Sequence, residues 1–302
     1  MITVTTPREV REATLAAKKS AKRVGLVPTM GALHEGHASL LRMARRRTEF
    51  VAASIFVNPK QFGPNEDLAR YPRDLHGDRR LLEEVGCDLL FLPSARDVYS
   101  PADRTRVSVE GLSEVLCGAS RPSHFAGVTL VVAKLFNIVQ PDEAYFGQKD
   151  AQQAIIIQRM AADLDIPVRI VVGPTVREAD GLAVSSRNSY LPPEARRNAP
   201  AIYRALRSAV RRIEEGERGP APLIAAIRRE MTEGGFEVEY ASIVDGASLR
   251  PVGRLDGTIL IACAGTIGGT RLIDNIALRI SGMSAEETLL EFPEWSRYFR
   301  KS

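Results

Sequence analysis

Between residues 24 and 172, short runs of Val, Ile, Leu and Ala alternate with longer stretches whose apolar residues recur every three or four positions. The pattern predicts strands at 24–27, 51–57, 88–92, 143–146 and 168–172, and helices at 38–47, 75–85, 128–139 and 152–164. Apolar strands separated by amphipathic helices predict an α/β fold, a parallel sheet covered on both faces. Past residue 175 the pattern changes. Charged amphipathic helices at 195–214 and 221–233 precede strands at 236–244, 258–262 and 272–278, which predicts a smaller α+β domain. The expected division is therefore 1–175 and 176–302, with no readable pattern after Gly282.

Composition narrows the picture by exclusion. The 302 residues, 44% of them hydrophobic, can bury one large core or two smaller ones, yet no window approaches eighteen uninterrupted apolar residues. The polar start at 1–22 lacks a signal-peptide apolar stretch, so a cytoplasmic protein is expected. Cys87, Cys117 and Cys263 stand singly in apolar surroundings, as reduced buried thiols do. A net charge of +4 with only 6% aromatic residues fits small anionic ligands better than nucleic acid.

In a parallel sheet, ligands bind beyond the carboxyl ends of the strands. The chemically richest segment lies at such a place: Pro28-Thr29-Met30-Gly31-Ala32-Leu33-His34-Glu35-Gly36-His37 joins the first of these strands to a helix. A tight turn into a helix start presents N–H groups and a positive dipole end to an anion, and two imidazoles three residues apart can face the same ligand. The loop is not a P-loop, because His37-Ala38 stands where Lys and Ser/Thr are required. Nor is it H-E-x-x-H, because its histidines are one residue too close. No G-x-G-x-x-G follows any predicted strand.

Further polar segments leave other predicted strands. Asn58 and Gln61 offer amides suited to the hydroxyl and carboxylate groups of a small polar substrate. Gly147-Gln148-Lys149-Asp150 is a second strand-to-helix turn, with Lys149 as a phosphate cation, Asp150 as N-cap and Gln153 one turn further. Val184-Ser185-Ser186-Arg187 places two hydroxyls and a guanidinium at the domain boundary, and segment 121–127 has the composition of a mobile substrate loop. No Ser-His-Asp triad and no charged cysteine can be argued, so catalysis by positioning and charge neutralisation between two substrates is expected.

The set PTMGALHEGH, IFVNPKQF, SRPSHFAGV, YFGQKDAQQ, TVREADGLAVSSRN and TRLIDNIAL, in this order and spacing, resembles the pantoate–β-alanine ligases, a family of HxGH-type nucleotidyltransferases. The resemblance implies a Rossmann-like N-terminal domain, a cytoplasmic homodimer, and ATP-dependent condensation of pantoate with β-alanine to pantothenate. It implies a pantoyl adenylate intermediate, with pyrophosphate and then AMP released. It assigns ATP to Met30, Gly31, Ala32, Leu33, His34, Glu35, Gly36, His37, Gly147, Gln148, Lys149, Asp150, Val176, Val184, Ser185, Ser186 and Arg187. His34, His37 and Lys149 become the catalytic group, with His37 the proton donor. Gln61, Gln153 and Asn58 take pantoate and β-alanine, and Mg2+ accompanies the nucleotide with Asp78 as a ligand. The segment matching the KMSKS-type loop has no lysine, which leaves cationic duty to Lys149 and Arg187. Val184 departs from the Met or Leu usual there, and Gln148 stands where Glu is also common. The alternatives are another HxGH-type nucleotidyltransferase acting on a small acceptor, or a nucleotide-sensing module without a second-substrate pocket.

Overall fold

Six short strands, all paired in parallel, form the first sheet of the computed structural model, which describes residues 1–64 and 66–299. They are β1 (Ile2–Val4), β2 (Val24–Thr29), β3 (Phe50–Ile55), β4 (Leu89–Phe91), β5 (Glu143–Gly147) and β6 (Arg169–Gly173), in the order β1-β4-β3-β2-β5-β6. From β2 the chain builds outward through β3 and β4, then returns to lay β5 on the other side of β2. The direction of growth reverses between β2 and β5, and the carboxyl ends on either side of that reversal frame the crevice where such folds hold ligands.

The intervening helices are α1 (Pro7–Lys19), α2 (Glu35–Arg47), α3 (Leu75–Glu84), α4 (Ala95–Val98), α5 (Cys117–Ser120), α6 (His124–Val139) and α7 (Ala151–Asp163). The pair β1 and α1 falls in the stretch 1–22, outside the alternation that the sequence pattern marks. A three-residue edge strand shows no alternation, and α1 buries only Val10, Thr14 and Ala17. A capping box starts α1: Glu9 N–H donates to Thr6 Oγ1 (3.3 Å) and Thr6 N–H to Glu9 Oε2 (2.9 Å). Helix α6 is apolar nearly all round and is buried accordingly, between the parallel sheet and the second layer.

Beyond β6 come α8 (Pro193–Asn198), α9 (Ala201–Glu214) and α10 (Pro220–Glu233), then an antiparallel sheet of β7 (Glu237–Asp245), β8 (Gly257–Ile267), β9 (Thr270–Ser281) and β10 (Ser284–Glu287). The single helix expected over 195–214 is two helices, because Pro200 has no N–H to continue the first. In β8, Ile259, Ile261 and Cys263 face α9 and α10, while Leu260 and Ala262 join the core shared with α6 and α7. The two-residue period of a strand thus buries the small sheet on both faces, which ties the two layers into one packed body. All three cysteines are free and buried. Among the described residues no helix is long and apolar enough to cross a membrane.

Ile155 on α7 is fully buried in this shared core. Ile155→Ala is expected to lower stability by about 2–5 kcal/mol, read as a lower denaturant midpoint at unchanged m-value.

Candidate active site

The loop after β2 owes its shape to a buried carboxylate. Gly31 and Ala32 both hold positive φ (+82° and +50°), a pair of left-handed residues that turns the chain sharply into α2. That turn aims the N–H groups of Ala32 and Leu33 at Asp78 on α3, where they donate to Oδ2 (3.0 Å) and Oδ1 (2.6 Å). Asp78, expected above as a metal ligand, is only 3% exposed and has both oxygens engaged by this loop. Among the described residues no group of three or more His, Cys, Asp or Glu is placed to hold a metal. In this structure Asp78 is a clamp on the loop. A Cβ at residue 31 would sit 3.1 Å from Asp78 Oδ2, so glycine serves both the backbone angle and the close approach.

Past the clamp, the imidazoles of His34 and His37 lie with centroids 4.1 Å apart, and His34 N–H donates to His37 Nδ1 (3.3 Å). A ring that accepts at Nδ1 carries its proton on Nε2. Burial, with the neighbouring charge of Lys149 and partly offset by Asp150, lowers the His34 pKa to about 4. Burial, His34 and Lys149 together lower His37 to about 3. Both rings are neutral at pH 7, and His34 Nδ1 is buried with no partner. That Lys149 acts on both rings places its ammonium within the same field, although it leaves the sheet from β5 rather than β2.

These groups open onto one cavity of about 600 Å³. Met30, His34, Gly36 and His37 line it, as do Gly147, Lys149, Asp150, Gln153, Val176, Val184, Ser185, Ser186 and Arg187. Gly31, Ala32 and Leu33 contribute the turn itself, while Glu35 points outward to pair with Arg42. Gln148 is buried with its side chain turned away from the cavity, its Oε1 accepting from Leu290 N–H (3.2 Å). Asp150 occupies the N-cap position of α7, yet makes no capping bond; its carboxylate lies 3.9 Å from Lys149 Nζ.

Beside the histidine loop, at the end of β3, Asn58 is 1% exposed and saturated. Its Oδ1 accepts from Tyr99 O–H (2.8 Å) and Lys60 N–H (3.2 Å), and its Nδ2 donates to Gly127 C=O (3.0 Å) and Gln61 Oε1 (3.0 Å). The two backbone partners fix the orientation of the Asn58 amide, which in turn makes Gln61 present its NH2 to the cavity, 3.1 Å from Met30 Sδ. Asn58, expected as a substrate ligand, therefore orients Gln61. Close passage of α6 makes this possible, for a Cβ at Gly127 would meet Lys60 O at 2.2 Å. The segment 121–127 is anchored at several points: Arg121 forks onto Glu66 (2.6 and 2.7 Å), and His124 Nδ1 lies 2.9 Å from Gln61 O. His124, which also lines the cavity, is lowered to about 4, chiefly by burial and then by Arg121.

Arg187 likewise forks onto a carboxylate, Asp67 (2.8 and 2.9 Å), and Tyr71 O–H lies 3.2 Å from Ser186 Oγ. Burial pushes the Asp67 carboxyl up, but the hydrogen bonds and charge of Arg187 outweigh it and hold the group below its ordinary value. Asn275 of β9 donates to the carbonyls of Gln148 (3.0 Å) and Lys149 (2.9 Å), tying the small sheet to the lysine turn. Tyr71 and Tyr99 give no local sequence signal, because each acts on a residue far away along the chain, whereas Asn275 stands in the motif TRLIDNIAL, which gives it no role. His124 stands in the segment 121–127, whose composition marks it.

Three half-buried neutral histidines have a consequence for stability. In the unfolded chain each binds a proton near pH 6.5, whereas in the native protein each resists protonation to about 4, 3 and 4. Their contribution is complete above pH 6.5 and is lost as pH falls toward the folded values. Denaturant midpoints measured from about pH 8 to about pH 4 are expected to fall below about pH 6.5, and less steeply in His34→Gln.

Comparison with known proteins identifies the family. The family model for pantoate-beta-alanine ligase matches residues 2–277. The pantothenate synthetase of Moorella thermoacetica is 54% identical over 273 residues, covering 90% of this chain and 96% of that protein. That of Pseudomonas putida KT2440 is 50% identical over 287 residues, covering 94% and 100%. The crystal structure of pantothenate synthetase from Thermus thermophilus superposes with a TM-score of 0.86 at 47% identity, covering 91% of this chain and 98% of that one. The Francisella tularensis pantoate-beta-alanine ligase, solved with beta-gamma ATP and beta-alanine, gives 0.75 at 34%, covering 91% and 97%. With the family model matching most of its length, relatives at about half identity and the fold in agreement, this chain belongs to the pantoate–β-alanine ligase family.

Proposed function

We propose that the cavity condenses pantoate with β-alanine at the expense of ATP through a bound pantoyl adenylate. The observation that carries the reading is the convergence of His34 and His37 from the end of β2 with Lys149 from the end of β5 on a single cavity. Two neutral donors and one cation at a helix start suit a triphosphate. The ligands named for the Francisella relative, beta-gamma ATP and beta-alanine, support the same assignment.

In the first step a pantoate carboxylate oxygen attacks the α-phosphorus, the bond to the bridging β-phosphate oxygen breaks, and pyrophosphate leaves. His37 Nε2–H donates to the phosphate oxygens as negative charge builds, and Lys149 neutralises it. In the second step the free amine of β-alanine attacks the acyl carbon, the amine loses a proton, and AMP departs. Gln61 gives its NH2 to pantoate oxygens, and Gln153 adds a second amide at the cavity wall. Phe125, Val128 and Leu135 supply an apolar wall for the branched methyl groups of pantoate. Val176, Val184, Ser185 and Ser186 enclose the nucleotide. Arg187 reaches the phosphates by exchanging the Asp67 carboxylate for them. Magnesium would accompany ATP and offset phosphate charge; among the described residues no group of three or more His, Cys, Asp or Glu is placed to hold a metal. A homodimer working in the cytoplasm belongs to the same reading.

Pantoate-dependent exchange of pyrophosphate into ATP, measured without β-alanine, tests the adenylate directly, and β-alanine should then release AMP. Folded protein without exchange would rule the adenylate out. Lys149→Ala and His37→Ala are expected to slow exchange by about 10²–10³-fold with little change in pantoate affinity. Gln61→Ala should raise the pantoate KM by about tenfold. Equal losses of ATP affinity in all three variants would contradict these roles.

A further inference from the structure

The chain beyond β10 leaves the small sheet and crosses back to the parallel-sheet layer. Thr288 N–H still bonds to Ala277 O (3.0 Å), but Leu290 is 1% exposed within the core around α6 and α7. Its N–H donates to Gln148 Oε1 (3.2 Å), and its C=O accepts from Gln158 Nε2 (2.8 Å). Phe292 N–H returns to Gln158 Oε1 (2.7 Å), so one side chain of α7 holds both polar groups of a short backbone stretch. Glu291 Oε1 accepts from Val172 N–H (2.7 Å), closing a free edge position of β6. Phe292 and Trp295 stack at 4.2 Å, and the Arg159 guanidinium lies 3.9 Å over the Trp295 ring.

Two of the three hydrogen-bonded anchors, Gln148 and Val172, sit immediately behind cavity walls. Gln148 precedes Lys149, and Val172 lies two residues before the cavity-lining Pro174, Thr175 and Val176. The family match stops at residue 277, and the P. putida relative is covered in full while 94% of this chain is. We propose that residues 288–295 are an intramolecular strap that positions the Lys149 turn and the 172–176 segment for the nucleotide. The strap lies outside the matched family region, and its effect on turnover rests on the ATP-site reading above.

The test uses full-length protein carrying Glu291→Ala with Gln158→Ala, and Glu291→Ala alone should the pair not fold. Amide exchange of peptides spanning 147–151 and 172–176, measured without nucleotide, is expected to quicken about tenfold, with the rest of the sheet unchanged. The KM for ATP should rise about tenfold while that for pantoate stays within about twofold. Glu291→Gln, which keeps an oxygen facing Val172 N–H, should restore both readouts. Unchanged exchange in the two peptides would overturn the strap, and so would a lower Tm with wild-type KM for ATP. A wild-type protein that bound no ATP would remove the ATP-site reading, and peptide exchange would then decide the strap alone.

Discussion

Asp78 sits in the first turn of α3, nearly inaccessible to water, and spends both carboxylate oxygens on the backbone of a loop more than forty residues earlier. A buried carboxylate without partners would be costly; two N–H groups at 3.0 and 2.6 Å make it a fixed point. From that point the left-handed pair Gly31-Ala32 takes its direction, and with it the start of α2 and the stacked imidazoles of His34 and His37. The site's other walls come from different strands, so they converge only if this loop is held.

Charge in the cavity is largely stored. Arg121 and Arg187 are each forked onto a carboxylate of one short segment, at Glu66 and Asp67, whereas the histidines are neutral and Lys149 is only loosely paired. Such an arrangement avoids leaving several bare cations beside one another, a cost that burial would magnify. A polyanion entering this space meets Lys149 and a helix start, while Arg70, which also lines the cavity, and the Arg187–Asp67 pair hold further positive charge. Beside the histidine loop, backbone groups orient Asn58, Asn58 orients Gln61, and the cavity-facing amide becomes a donor through two fixed links.

Much of this could be read before the fold was seen, for identifiable reasons. The strands β2, β3 and β5 are continuous apolar runs because both sheet faces are covered, and their carboxyl ends carry the histidine loop, Asn58 and Lys149. The polar segments after β5 and at the domain boundary extended that reading to Gln153 and Arg187, and the family motifs to Val176. What could not be read is relational. Asp78 and Asn58 were polar residues near polar loops, and only their partners distinguish a clamp from a ligand. Gln148 belongs to the lysine motif, yet its side chain faces a tail without periodicity. Tyr99 acts over a long sequence separation, which no local pattern reports, and the motif around Asn275 does not name its distant partners. The break at Pro200 was visible as a proline but hidden inside a convincing amphipathic repeat.

The dependence of the site on the Asp78 clamp is tested most directly by the ATP dissociation constant of Asp78→Asn, measured by calorimetry beside amide exchange at Ala32 and Leu33. The near-isosteric amide keeps one acceptor and turns an NH2 toward the other N–H. Binding weakened by at least about tenfold, together with faster exchange at both amides in an otherwise native protein, is the expected result. Wild-type affinity with those two amides exchanging freely would contradict it.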